Sequence, residues 1–237
     1  MSRPKLSAWL LLTAIFAANL VETALEGALV GDRVRELGFR VAHAFSELEP
    51  DGLFAHHEAS GPIAVFGYSL SYFFVFPLLA LALAVTLSCR ADDGPFRLFA
   101  RALAIDYGVS LPFFLLFPIP ERWAYPESGA MLLSDQWTSA LIEAVRPMSG
   151  LDNCFPSFHV SMTVVMIGAS YLAGVRLRGA VAGLGGTVIL STLGLGIHWL
   201  PDIVAGVALG VLSVALALRL EPGRRLAAPP VAAAAPA

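Results

Sequence analysis

The stretch PIAVFGYSLSYFFVFPLLALALAVTLS, residues 62–88, runs for 27 residues without a charged side chain. A helix needs about 20 apolar residues to cross the hydrocarbon core of a bilayer, so this segment reads as a membrane span. The rest of the chain agrees. Of its 237 residues, 57% are hydrophobic and only 14% charged, with a mean hydropathy of +0.73. A soluble domain needs more polar surface than that.

Working outward from residues 62–88, five more stretches are apolar enough to span: Leu6–Leu25, Phe96–Phe117, Phe158–Val175, Ala180–Ile197 and Pro201–Leu218. The fourth and fifth spans in chain order are short, and the fifth is rich in Ala and Gly. Between the first two spans, Val34, Leu37, Val41, Phe45 and Leu48 recur at helical spacing, with Arg33, Arg35, Glu36, Arg40 and Glu47 mostly opposite. Residues 32–48 therefore read as an amphipathic helix lying in the membrane interface. Gly206 and Gly210 form a small-xxx-small pair that lets a neighbouring helix approach the sixth span closely. The expected fold is all-α: a polytopic membrane helix bundle of about six transmembrane helices. Residues 1–221 form one domain, and 222–237 form a Pro/Ala-rich, disordered cytoplasmic tail.

Arginine and lysine orient the bundle. Arg3, Lys5, Arg90, Arg97, Arg101, Arg176, Arg178, Arg219, Arg224 and Arg225 flank the spans at one end. The longer alternate loops hold only Arg33, Arg35, Arg40, Arg122 and Arg146. The positive-inside rule puts both termini in the cytoplasm. The first segment also has the basic start of a cleaved signal peptide, but Glu22 and Glu26 follow it directly and no small-x-small site precedes them. Cys89 and Cys154 fall on opposite sides, too far apart for a disulfide. The net charge of −3 gives no reason to expect a nucleic acid partner. Oligomeric state is not encoded in any pattern we recognise.

Three segments come level at the outer surface: Phe117–Trp123 after the third span, Cys154–His159 entering the fourth, and Ser191–Asp202 around the fifth-to-sixth turn. His198 and Asp202 are four apart, which puts a carboxylate within reach of the imidazole if the turn is helical. Such a partner fixes the tautomer and leaves the other ring nitrogen as a nucleophile. His159 follows Pro156 and Ser157 at a helix start, where free N–H groups and the helix dipole suit a phosphate. Taken singly, each motif is equally compatible with an interfacial histidine and an ordinary helix cap.

Together, Pro156-Ser157-Phe158-His159 and His198-x-x-x-Asp202 resemble the type 2 phosphatidic acid phosphatase superfamily. Ser191-Thr192-Leu193 and the Pro-rich stretch ending at Arg122 resemble its inositol phosphorylceramide synthase-like (aureobasidin-resistance) branch. The resemblance implies a lipid phosphate phosphatase, or a head-group phosphotransferase, acting at the outer face of the plasma (inner) membrane on a lipid phosphate or phospholipid. It implies His198 as nucleophile, Asp202 as its partner and His159 as general acid and base, with no cofactor and no metal. Phosphate binding falls to Arg122, Arg146, Ser157, Ser191 and Thr192.

The sequence departs from the family in two places. The family's first motif pairs a lysine with a downstream Arg-Pro, yet the only lysine here is Lys5, on the wrong side. Arg146-Pro147 mimics the end of that motif deep in a loop, and position favours Arg122 over it. Thr192 replaces a usual arginine. A non-catalytic transporter or scaffold with the same fold is the alternative, with Glu22, Glu26 and Asp106 as ion-pathway residues. No inverted repeat supports it; Asp106 reads better as a hydrogen bond to a neighbouring helix. His43, His56 and His57 read as solvated loop residues, and Tyr68, Tyr72, Phe73, Phe74 and Phe76 as lipid-facing or packing aromatics, part of which could line a lipid-chain groove.

Overall fold

The computed structural model describes residues 2–50, 53, 60–137 and 153–220. Among these the chain is an all-α bundle. Helix α1 spans Arg3–Leu29, α2 Asp32–Leu48, α3 Pro62–Ser88 and α4 Gly94–Leu116. Helices α5 (Phe158–Leu172), α6 (Arg178–Gly194) and α7 (Leu200–Arg219) complete it. The tail 222–237 lies outside the described residues, as do His56, His57 and Arg146.

Among the described residues, four helices are long and apolar enough to cross a membrane: α1 over Arg3–Leu25, α3, α4 and α7. Helices α5 and α6, expected as full spans, have 15 and 17 residues. For α5 the shortness has a structural reason. Helix α5 is the central one, packed against α3, α4, α6 and α7, so protein, not lipid, surrounds its N-terminal end. Asp106 ties α4 to it by accepting a bond from the Ser161 hydroxyl (2.9 Å), the structural role read from the sequence.

Helix α7 meets α5 through the glycine pair. A Cβ on Gly206 would come within 2.6 Å of the Ser157 carbonyl oxygen, and one on Gly210 within 2.5 Å of that of Ser161. The two backbones are in contact there, as a small-xxx-small motif permits. Helix α3 changes pitch midway, with a π-helical turn over Ser71–Val75 closed by a bond from the Phe76 N–H to the Ser71 carbonyl. Pro77 supplies the cause: it has no N–H for the carbonyl of Phe73.

The basic end is knitted by Lys5, which donates to the Arg90 carbonyl (2.7 Å) and pairs with Asp93 (3.3 Å). At the opposite end lie the C-terminus of α4 and the N-termini of α5 and α7. Helix α2 has the predicted bounds, and it docks across this end as well as being amphipathic. Gly38 and Ala42 are buried, and a Cβ on Gly38 would fall 2.0 Å from the Pro118 carbonyl oxygen. His43 is therefore a residue of this helix and not of a loop; it is exposed and bonds Tyr125 Oη through Nδ1 (3.0 Å). Cys89, exposed, and Cys154, buried, lie at opposite ends and form no disulfide with each other.

Candidate active site

Backbone hydrogen bonds bring the three distant segments together. Arg122 N–H donates to the Ile197 carbonyl (2.9 Å) and Trp123 N–H to that of Gly196 (3.0 Å). Cys154 N–H reaches the Ile119 carbonyl (3.3 Å), and Ser157 N–H that of Asp202 (3.1 Å). Gly196 makes the bend with φ of 73°, a conformation that disfavours a side chain. The Trp199 indole, fully buried, donates to the Pro120 carbonyl (3.1 Å) and locks the turn from below.

His198 sits just before α7, in the turn and not on the helix. Its backbone N–H donates to the Thr192 carbonyl (3.1 Å). Nδ1 faces Asp202 Oδ2 at 3.1 Å, both side chains buried. The i, i+4 pairing thus holds although only Asp202 is helical, because Pro201 and Asp202 form the first turn. Nε2 faces the Ser157 hydroxyl at 3.3 Å. Ser157 is at once the N-cap of α5, accepting from Val160 N–H, and a neighbour of the histidine.

His159 enters from the first turn of α5, its ring centroid 6.0 Å from that of His198 and its plane inclined by 60°. Both histidines line one cavity of about 290 Å³. Tyr72 stacks on His159 with centroids 4.3 Å apart, and its hydroxyl lies 3.3 Å from Nδ1. The Phe76 ring also contacts His159, tilted by 46° with centroids 4.7 Å apart. Part of the aromatic run of α3, Tyr72, Phe73 and Phe76, thus lines the cavity, while Tyr68 and Phe74 do not; the sequence suggested packing or lipid contact, with part of the run available to a groove. The signal that could have found it is Pro77, five residues after Tyr72, since π-turns in helices gather at functional positions.

Arg122 is buried, and its Nη2 pairs with Glu49 Oε2 at 2.7 Å and donates to the Ser128 carbonyl at 3.2 Å. Its guanidinium stacks on Trp199, 5.2 Å from the ring centroid. Glu49, just past α2, also accepts from the Leu200 N–H (2.8 Å) and so caps α7. Sequence reading missed Glu49, since nothing local links it to residues 73 and 151 positions away. Burial pushes its carboxyl up, opposed by the Leu200 bond and the Arg122 charge. Burial likewise lowers the Arg122 guanidinium, with the charges of Glu49 and Asp202 opposing.

Other expected residues are placed differently. The Ser191 and Thr192 hydroxyls donate to the carbonyls of Val188 (2.6 Å) and Ile189 (2.7 Å) in their own helix. Thr192 serves the site through its backbone carbonyl, and neither side chain lines the cavity. Glu121, fully buried, does line it and accepts a bond from the Trp123 indole. Arg146 falls outside the described residues. Cys154, His198 and Asp202 offer ligand atoms within 4.8 Å of one another. The Asp202 carboxylate and His198 Nδ1 already engage each other, and the Cys154 thiol faces the Ile197 carbonyl (3.6 Å), so the arrangement fits a hydrogen-bonded dyad better than a metal centre.

A family model described as the PAP2 superfamily matches residues 35–216, about three quarters of the chain and all of these segments. No curated protein and no solved structure matches it. The chain belongs to the PAP2 superfamily.

Proposed function

We propose that this PAP2-superfamily chain transfers the phosphoryl group of a lipid phosphate or phospholipid through a phosphohistidine on His198, at the outer face of the plasma membrane. Superfamily membership already carries phosphatase-like phosphoryl transfer in general terms. The observation behind the finer reading is the His198–Asp202 contact at 3.1 Å, in one cavity with His159. With its Nδ1 proton held by Asp202, His198 keeps its lone pair on Nε2, beside the Ser157 hydroxyl (3.3 Å), and attacks phosphorus as that hydroxyl turns to the phosphoryl oxygens.

The steps balance without another reactant. Nε2 bonds to phosphorus as the bond to the leaving oxygen breaks, and His159 gives that oxygen its proton. His159 then takes a proton from the acceptor hydroxyl, which displaces Nε2 and carries the phosphoryl group away. In the His159 imidazolium, Nδ1–H donates to the Tyr72 hydroxyl oxygen, which leaves Nε2–H as the proton given to the leaving oxygen. Asp202 stabilises the charge that builds on His198. Ser157 and the N–H groups opening α5 receive phosphoryl oxygens. Arg122, held by Glu49 and Trp199 and not itself lining the cavity, contributes positive charge from behind it, and Arg146 is the second candidate for that role. The scheme uses no metal and no cofactor.

Water as acceptor gives hydrolysis; a lipid or polyol hydroxyl gives transfer. The Ser191-Thr192-Leu193 element and the Pro118–Arg122 stretch favour the inositol phosphorylceramide synthase-like branch, hence transfer, as the second reading. The test is purified protein in detergent with labelled lipid phosphate, with and without alcohol acceptors. His198→Ala and His159→Ala should each lower turnover by about a thousandfold or more while folded protein is recovered. Retained activity in both would sink the mechanism. Free phosphate as the sole product identifies a phosphatase, and a new labelled lipid a transferase.

A further inference from the structure

The cavity at the histidines does not end beside them. It passes down between α1 and α3 into a second cavity of about 330 Å³, and the two share Phe16, Asn19, Ala80, Phe158 and Met162. They form one groove with a polar mouth and an apolar shaft. At the mouth stand Glu121, Asn153, His159 and His198. At the foot stands Trp9, its ring 5.1 Å from that of Phe96 behind it. The groove exists because α1 packs chiefly on α4, leaving a gap towards α3. Ala80 and Ala84, one helical turn apart, offer only methyl groups to its wall.

Length and surroundings identify the occupant. From Asn19 to Trp9 is ten residues of helix, about 15 Å. That is half of a hydrocarbon core of about 30 Å, the depth of one leaflet. Phe16 and Leu81 on the rims are each 56% exposed, so the groove opens sideways where α1 and α3 meet lipid. A molecule lying in it would have its polar end at the two histidines and its apolar end at Trp9. We infer that this groove seats one acyl chain of the lipid substrate, and that Trp9 sets the longest chain accepted. The inference rests on the proposed phosphoryl transfer for the identity of the head group.

Photolabelling tests it without turnover. Phosphatidic acid carrying a diazirine at successive depths along one chain should be applied to His198→Ala protein in vesicles. Shallow probes should label Phe16, Ala80 or Met162, and the deepest should label Trp9, with excess unlabelled phosphatidic acid suppressing the adducts and neutral diacylglycerol not. Adducts scattered over the lipid face of α1, or suppressed equally by both lipids, would mean ordinary annular lipid and overturn the inference. In the active protein, Trp9→Ala should raise the ratio of kcat/KM for long over short chains about tenfold, and Ala84→Phe should lower it about as much. Unchanged ratios in both variants would overturn the role of Trp9. Ordered labelling in a protein that turns over no lipid phosphate would uphold the groove and sink the catalytic reading; turnover without ordered labelling would do the reverse.

Discussion

Tyr72 faces His159 twice over, by a stacked ring and by a hydroxyl 3.3 Å from Nδ1. Tyr72→Phe keeps the ring and removes the hydrogen bond. If that bond orients the general acid and stabilises its protonated form, kcat should fall about tenfold, the equivalent of one hydrogen bond of about 1.4 kcal/mol. KM should change little, and the pH profile should shift on the limb set by His159. An unchanged profile would reduce Tyr72 to packing. Glu49 makes a different residue-scale prediction. Its carboxyl is pushed above the ordinary value of 4.5 by burial, so the folded state binds more protons than the unfolded one between the two values. Its contribution to stability is then fullest below pH 4.5 and declines as pH rises through the raised value. Glu49→Gln removes the titration. Relative to wild type, the variant's thermal midpoint in detergent should improve as pH is raised from 4.5 towards neutrality; a constant offset would refute the shift.

At the level of elements, the contact between α5 and α7 matters most, because α5 carries His159 and α7 carries Asp202, the partner of His198. Gly206 touches the Ser157 carbonyl, so Gly206→Ala forces the two helices apart at the cap of α5. Overpacking of this kind costs about 1–3 kcal/mol. Both the thermal midpoint and turnover should drop, because Ser157 and His159 move with the cap. Gly186→Ala is the matched control, since a Cβ there meets nothing within 4 Å. Equal behaviour of the two variants would show that close approach at Gly206 is immaterial. The π-turn of α3 is the other decisive element. It turns an aromatic run that would otherwise keep a single helical register so that Tyr72 meets His159.

For the molecule as a whole, orientation is the property to measure. Basic residues gather at the end opposite the histidines, and Cys89 lies there exposed while Cys154 is buried at the other end. A membrane-impermeant maleimide should leave Cys89 unmodified in right-side-out vesicles and modify it in inside-out ones, with peptide mapping to separate the two cysteines. The reverse pattern would turn the active site to the cytoplasm. Much of this whole was legible in the sequence. Long apolar runs marked α1, α3, α4 and α7; a local period marked α2 to the residue; Ser157 marked the start of α5. Those signals are local, because hydrogen bonds within a helix and the partition of its faces depend on residues a turn or so apart. Even the His198–Asp202 pair is of this kind. What the sequence by itself determined is therefore the set of helices, their alternation and the pairing of His198 with Asp202. Only the tertiary structure decided that Glu49 takes hold of Arg122, that Tyr72 joins His159, that the Ser191 and Thr192 hydroxyls turn back on their helix, and that a groove separates α1 from α3. These depend on how helices of similar apolar character choose among one another's faces, which is settled by packing between residues far apart in the chain.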